Sequence, residues 1–125
     1  MYDNTLIIDS LRDIEEALLH VIDRTSWIKA AIDFTTTPHG VDMLDVATIR
    51  LMAVGEEIKK INKRTNEQLL VNYPNIDWKE ITDMRNFIAH EYFRVDANVI
   101  FNTVQKKIHP LLSTIKQIIK DLENI

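Results

Sequence analysis

From Arg85 to Tyr92 the chain reads Arg85-Asn86-Phe87-Ile88-Ala89-His90-Glu91-Tyr92, which places an arginine, a histidine and a tyrosine within one short segment. A guanidinium stays charged, an imidazole exchanges a proton near neutrality, and a phenol offers a hydroxyl that donates, accepts or is modified. Together they suit cleavage of a phosphodiester that neighbours a 2′-hydroxyl. A base takes the hydroxyl proton, an acid protonates the departing oxygen, and a fixed cation meets the charge that grows on the phosphate. His90 fits either of the first two tasks and Arg85 the third. The same residue types also serve a helix end without any chemistry. Arginine and histidine can bond the last carbonyls, and Tyr92 with Phe93 can close a core. Spacing by itself leaves both readings open.

Geometry adds a constraint. Residues five apart are turned by roughly 140° around an ideal helix, so Arg85 and His90 do not share a face of one, whereas Arg85 and Tyr92 nearly eclipse. Three routes would bring Arg85 and His90 together: a helix loosened near Ala89-His90, an arginine side chain that sweeps round, or a site completed by a second subunit. A loosened last turn together with a dimer is the expectation taken forward.

The elements around this segment read as helices. Leu6, Ile7, Leu11, Ile14, Leu18, Leu19 and Ile22 recur at helical spacing over 5–23, and a shorter helix is expected after Ser26 as N-cap, through Phe34. Thr35-Thr36-Thr37-Pro38-His39-Gly40 reads as a break. From Asp42 to Leu70 the positions Leu44, Ala47, Leu51, Val54, Ile58 and Ile61 predict a long helix that Tyr73-Pro74-Asn75 stops. Asp77-Trp78-Lys79-Glu80 has the form of a capping box, so the helix that carries Arg85 and His90 should start at Trp78. Asp96 can cap a last helix, kinked at Pro110, with Phe101, Val104, Ile108, Leu111, Ile115, Ile118 and Leu122 on one stripe. The expected fold is all-α, an antiparallel up-and-down bundle of four long helices plus a short one, in a single domain over 1–125.

Composition excludes several functions. With no cysteine there is no disulfide scaffold, thiolate metal site or cysteine nucleophile. His20, His39 and His109 stand at no recurring ligand step, so no metal is expected, and the absence of a Gly-rich phosphate loop leaves nucleotide binding by this chain unsupported. Leu6-Ile7-Ile8 soon meets Asp9, Arg12 and Asp13, unlike a signal peptide or membrane span, so a cytoplasmic chain without a membrane association is expected. The net charge of −4 argues against a non-specific duplex grip. The basic clusters Lys59-Lys60-Ile61-Asn62-Lys63-Arg64 and Lys106-Lys107-Ile108-His109 read most simply as solvated helix ends. Trp27 and Trp78 read as core or interface anchors.

The string Arg85 to Tyr92 resembles the R-x4-H-x-Y motif of HepT, the HEPN-domain toxin paired with a minimal nucleotidyltransferase (MNT) antitoxin. Asn86 supplies the polar residue that follows the arginine there. Val54-Gly55-Glu56-Glu57 is similar to a Gly-Glu motif of that family's central helix, and Tyr73-Pro74-Asn75-Ile76-Asp77-Trp78-Lys79-Glu80-Ile81 to its lead-in. Phe93-Arg94-Val95-Asp96 and Pro110-Leu111-Leu112 resemble the segments that follow. The likeness spans about 47–119, and the first 40 residues fit it loosely. A bare R-x4-H-x-Y arises by chance, but the combined set in this order is far more specific.

The resemblance implies a HEPN-like helical homodimer whose Arg85, Asn86 and His90 line a shared cleft and cleave RNA with neither metal nor cofactor. It implies that the antitoxin silences the toxin by attaching AMP to Tyr92. Gly55 would permit close helix approach and Glu56 would support Arg85, with an ordinary packing glycine and surface glutamate as the equal alternative. Two other readings stand beside this one: a non-catalytic HEPN partner subunit of the nucleotidyltransferase, and a plain structural helical domain.

Overall fold

Asp3 starts the first helix by accepting a hydrogen bond from the Thr5 amide at 2.9 Å, and the apolar stripe expected over 5–23 then runs as α1, Asn4–Arg24. This computed structural model describes residues 3–124, and all regular structure among them is helical. The remaining α-helices are α2 (Pro38–Arg64), α3 (Trp78–Glu91), α4 (Ala97–Lys106) and α5 (Ile108–Glu123). No helix among the described residues is long and apolar enough to cross a membrane.

The structure corrects three expectations. The helix expected after Ser26 is only a four-residue 3₁₀ turn, Ala31–Phe34, with no side-chain cap from Ser26. It exists to bury Phe34, which is fully enclosed, and Asp33 reaches back to the amides of Lys29 and Ala30. The break expected at Pro38-His39-Gly40 is instead the first turn of α2. Thr37 caps it by accepting from the Gly40 amide at 2.9 Å, and Pro38 sits at its first position, where a missing N–H costs nothing. At the other end α2 stops at Arg64 rather than Leu70, because Asn66 and Glu67 turn left-handed at φ 52° and 61°. Leu69 and Leu70 are still buried, but from the connection.

The last helix is divided. Pro110 has no N–H to give the carbonyl of Lys106, and its ring crowds that carbonyl, so the chain breaks at Lys107 and Pro110 falls in the first turn of α5. The expected bundle of four long helices and a short one therefore stands, with the ten-residue α4 as its short member in place of the segment after Ser26.

Helix α1 runs antiparallel to α2, since Ser10 bonds Glu57 at one end of the pair while Trp27 stacks on His39 at the other. Helix α5 covers the other side of α1, and α3 packs across α2. Leu11, Leu18, Val21, Ile58, Ile61, Ile115 and Ile118 fill the interior with 0% exposure, and each leucine and isoleucine among them is worth on the order of 2–5 kcal/mol against alanine. Trp27 lies at the surface on His39, and Trp78 is half-buried with its Nε1–H donated to the Tyr73 carbonyl at 3.0 Å.

Candidate functional site

Helix α3 carries Arg85, Asn86 and His90, and its placement follows from its lead-in. Tyr73 donates its hydroxyl to Asp121 at 2.6 Å and Asn75 donates to the buried Thr114 at 2.8 Å, both on α5. Asp77 then caps the helix, accepting from the Glu80 amide at 3.1 Å. The reciprocal half of the expected box is not made: the Glu80 carboxylate pairs with Lys107, where α4 gives way to α5. Ile81, Met84, Phe87 and Ile88 turn inward, with Ile88 fully buried.

The next contact fixes Arg85. Helix α3 crosses α2 at Gly55 so closely that a Cβ added there would lie 2.5 Å from the Arg85 Cβ and 3.1 Å from the Ile81 carbonyl oxygen. Only a residue without a side chain allows this approach. One residue further along α2, Glu56 accepts a hydrogen bond from Arg85 Nε at 2.5 Å, and the adjacent Asn86 accepts from an Arg85 terminal nitrogen at 3.1 Å. The guanidinium is thus held on two sides, with a side-chain exposure of 30%. A planar fork with remaining N–H groups free suits an oxyanion or phosphate.

His90 and Tyr92 lie elsewhere. The helix stays α-helical through His90, so the loosening expected near Ala89-His90 is absent. The departure comes at Glu91 (φ −118°, ψ 26°), after which Tyr92–Arg94 forms a tighter 3₁₀ turn. A regular helix between them keeps Arg85 and His90 turned apart by roughly 140°. Because the chain leaves the helix before Tyr92, the near-eclipse of Tyr92 over Arg85 that a continuous helix would give is lost as well. Among the described residues no hydrogen bond or ion pair joins Arg85 to His90, and His90 is exposed.

Around the helix end His90, Tyr92, Phe93 and Arg94 border an open hollow of about 430 Å³. Tyr92 is 44% exposed and Phe93 97% exposed, their rings meeting edge to face at 5.6 Å. The reading in which these two aromatics close a core is therefore overturned: the 3₁₀ turn points them to solvent. Their exposure escaped the sequence reading, since an aromatic pair after an apolar helix looks like core. No cluster of three or more metal-ligating side chains occurs among the described residues.

A family model described as ribonuclease HepT-like matches residues 7–118, which takes in most of α1 as well as the segments singled out by sequence. The chain is 31% identical over 118 residues to a provisionally named RNase of Methanocaldococcus jannaschii, covering 90% of this chain and 96% of that one. A second protein of the same organism, also provisionally named an RNase, is 30% identical over 90% of this chain and 92% of its own length. A third with that provisional name, from Caldanaerobacter subterraneus subsp. tengcongensis, is 34% identical over 89 residues, which is 70% of this chain and 72% of the relative. No solved structure matches significantly.

Proposed function

The chain belongs to the HepT-like ribonuclease family, and from that premise we propose that it is a metal-independent endoribonuclease toxin of the HEPN/MNT kind. Arg85, Asn86 and His90 are its site and Tyr92 is its silencing position. The observation that carries this reading is the contrast along α3. Arg85 is clamped by Glu56 and Asn86, while His90 and Tyr92 are exposed near the end of the same helix.

In this reading His90 takes the 2′-OH proton or protonates the departing 5′-oxygen. The 2′-oxygen bonds to phosphorus as the P–O5′ bond breaks, leaving a 2′,3′-cyclic phosphate and a 5′-hydroxyl. Arg85 meets the phosphate charge, held in position by Glu56 and Asn86. Since one regular helix turns Arg85 and His90 apart, a homodimer that apposes two α3 ends supplies the missing proximity. The partner nucleotidyltransferase transfers AMP to the exposed Tyr92: the phenol oxygen bonds to the α-phosphorus of ATP, pyrophosphate leaves, and the phenol proton passes to solvent or a transferase base. The added phosphodiester brings negative charge and bulk to the hollow beside His90.

The test is RNA degradation by the purified chain in excess EDTA. Arg85→Ala and His90→Ala are each expected to lower the rate by about 10²–10⁴-fold, and a substrate with 2′-deoxyribose at the cut should survive. Cleavage that persists in both variants would remove the site assignment. One observation favours the second reading, a non-catalytic partner subunit of the transferase: Glu56 already neutralises the Arg85 charge. AMP transfer to Tyr92 without detectable cleavage by the unmodified chain would establish that reading instead.

A further inference from the structure

Beside the Arg85 clamp runs a second feature that the motif does not include. A polar groove of about 450 Å³ lies between the C-terminal half of α2 and the outer face of α3, with Lys59, Asn62 and Lys63 on one wall and Thr82 and Asn86 on the other. On α2 the sequence Glu56, Lys59, Lys63 forms one stripe at steps of three and four, so the groove is continuous with the residue that holds Arg85. Asn86 belongs to both, as it lines the groove and bonds the Arg85 guanidinium.

The charges in the groove are unequal in a telling way. Lys60, the next residue on α2, is paired with Glu57 at 3.4 Å, whereas Lys59 and Lys63 have no carboxylate within ion-pair distance among the described residues. Glu67 is the one acid on the rim, held beyond the helix end at a positive φ. Two unneutralised ammonium groups facing amides and a hydroxyl make poor packing and a good cradle for anions. Their separation along the helix is about 6 Å, which suits successive phosphates of an extended strand. The chain carries a net charge of −4, so this local excess of positive charge runs against the sign of the chain as a whole.

We propose that this groove binds the sugar-phosphate backbone of single-stranded RNA next to the scissile phosphate, with Lys59 and Lys63 each contacting a phosphate and Asn86 joining the groove to the Arg85 site. The inference rests on the RNase reading above. It makes Lys59 and Lys63 substrate-binding residues, which set how the strand lies and do not touch the reacting atoms.

Counterion release gives a readout that a structural role would not move. For single strands, log Kd changes with log salt by about 0.7 per neutralised phosphate. Binding of a fluorescent 2′-O-methyl RNA dodecamer, which cannot be cut through its 2′-oxygen, is measured by anisotropy from 0.05 to 0.5 M NaCl. Lys59→Gln/Lys63→Gln is expected to lower the magnitude of the slope by about 1.4, and to weaken binding at 0.05 M by on the order of 10–100-fold. Lys116→Gln, on the exposed face of α5, keeps the wild-type slope. A wild-type slope in the double variant overturns the groove while wild-type cleavage of ordinary RNA leaves the RNase reading standing. A wild-type chain that neither binds the dodecamer nor cleaves RNA removes that reading and the groove with it.

Discussion

Placing a methyl group at Gly55 tests the crossing on which the candidate site depends. In Gly55→Ala the new Cβ would stand 2.5 Å from the Arg85 Cβ and 3.2 Å from its Cγ. Carbon atoms in contact prefer about 3.5–4.0 Å, so α3 must retreat by about 1 Å. Neither obstacle is a flexible tip: one is the root of the Arg85 side chain and another is the Ile81 carbonyl. Overpacking of this kind costs about 1–3 kcal/mol, while replacing a mid-helix glycine with alanine returns about 1 kcal/mol. Net destabilisation is then about 0–2 kcal/mol, and Ala53→Gly, on an exposed position of the same helix, calibrates the propensity part. Activity is the sharper readout, because a misplacement of about 1 Å at a catalytic group can cost ~10²-fold. Urea unfolding and RNA cleavage rates are measured on the same preparations. A variant about 1 kcal/mol more stable than wild type, with full cleavage activity, would refute the close crossing and the positioning of Arg85 by it.

Three further outcomes follow from other contacts. Gly40→Ala should destabilise by about 1–3 kcal/mol in urea melts, since the added Cβ overlaps the Asp33 carbonyl oxygen, which is backbone and cannot rotate aside; a neutral result would refute that packing. Asp77→Ala removes the cap that accepts from the Glu80 amide and should cost about 1 kcal/mol, with Asp77→Asn largely restoring it. The Tyr73 hydroxyl, followed by Gln117, holds the Asp121 carboxyl below its usual range. A depressed carboxylate stabilises the fold above its unfolded-state pKa and loses that contribution as pH falls through the folded value. Tyr73→Phe should therefore raise the Asp121 pKa in a carboxyl NMR titration, and the stability gap from wild type should narrow in acid; an unmoved Asp121 would show that the bond is not made in solution.

Long apolar stripes were the readable part of the fold. The spacing over 5–23 predicts α1 almost to the residue, and Asp77 and Asp96 mark the starts of α3 and α4 because a cap is local chemistry. What failed was decided by tertiary packing or by neighbouring residues with two meanings. Pro38-His39-Gly40 looks like a break, yet proline is favoured in a first helical turn and Gly40 is needed for its close approach to Asp33. Ser26 is a fair cap by type, but the chain after it is drawn into a turn that sinks Phe34 into the core. Pro110 announces a kink, and the backbone answers three residues earlier, where the clash with the Lys106 carbonyl is relieved.

The site shows the same division at smaller scale. Residue types in Arg85 to Tyr92 define a chemistry, and helix periodicity already separates Arg85 from His90, because both are properties of one short segment. What holds Arg85 comes from 29 residues away: Glu56 meets it only because Gly55 lets two helix backbones touch. No periodicity within either helix encodes that meeting, since any exposed glutamate on α2 carries the same local pattern. The tyrosine is the converse case. Its spacing from Arg85 predicts alignment on a continuous helix, but α3 ends at Glu91, one residue too soon, and the 3₁₀ turn carries Tyr92 and Phe93 outward. A phenol reached from solvent, and not one stacked over the arginine, is what a second enzyme needs to deliver a nucleotide. In the proposed reading an adduct there would act by filling the hollow beside His90, so Tyr92→Phe should preserve RNA cleavage while abolishing AMP transfer. Mass spectrometry after incubation with transferase and ATP, paired with cleavage rates, checks both halves. Equal silencing of the Phe variant by transferase and ATP would place the modification elsewhere.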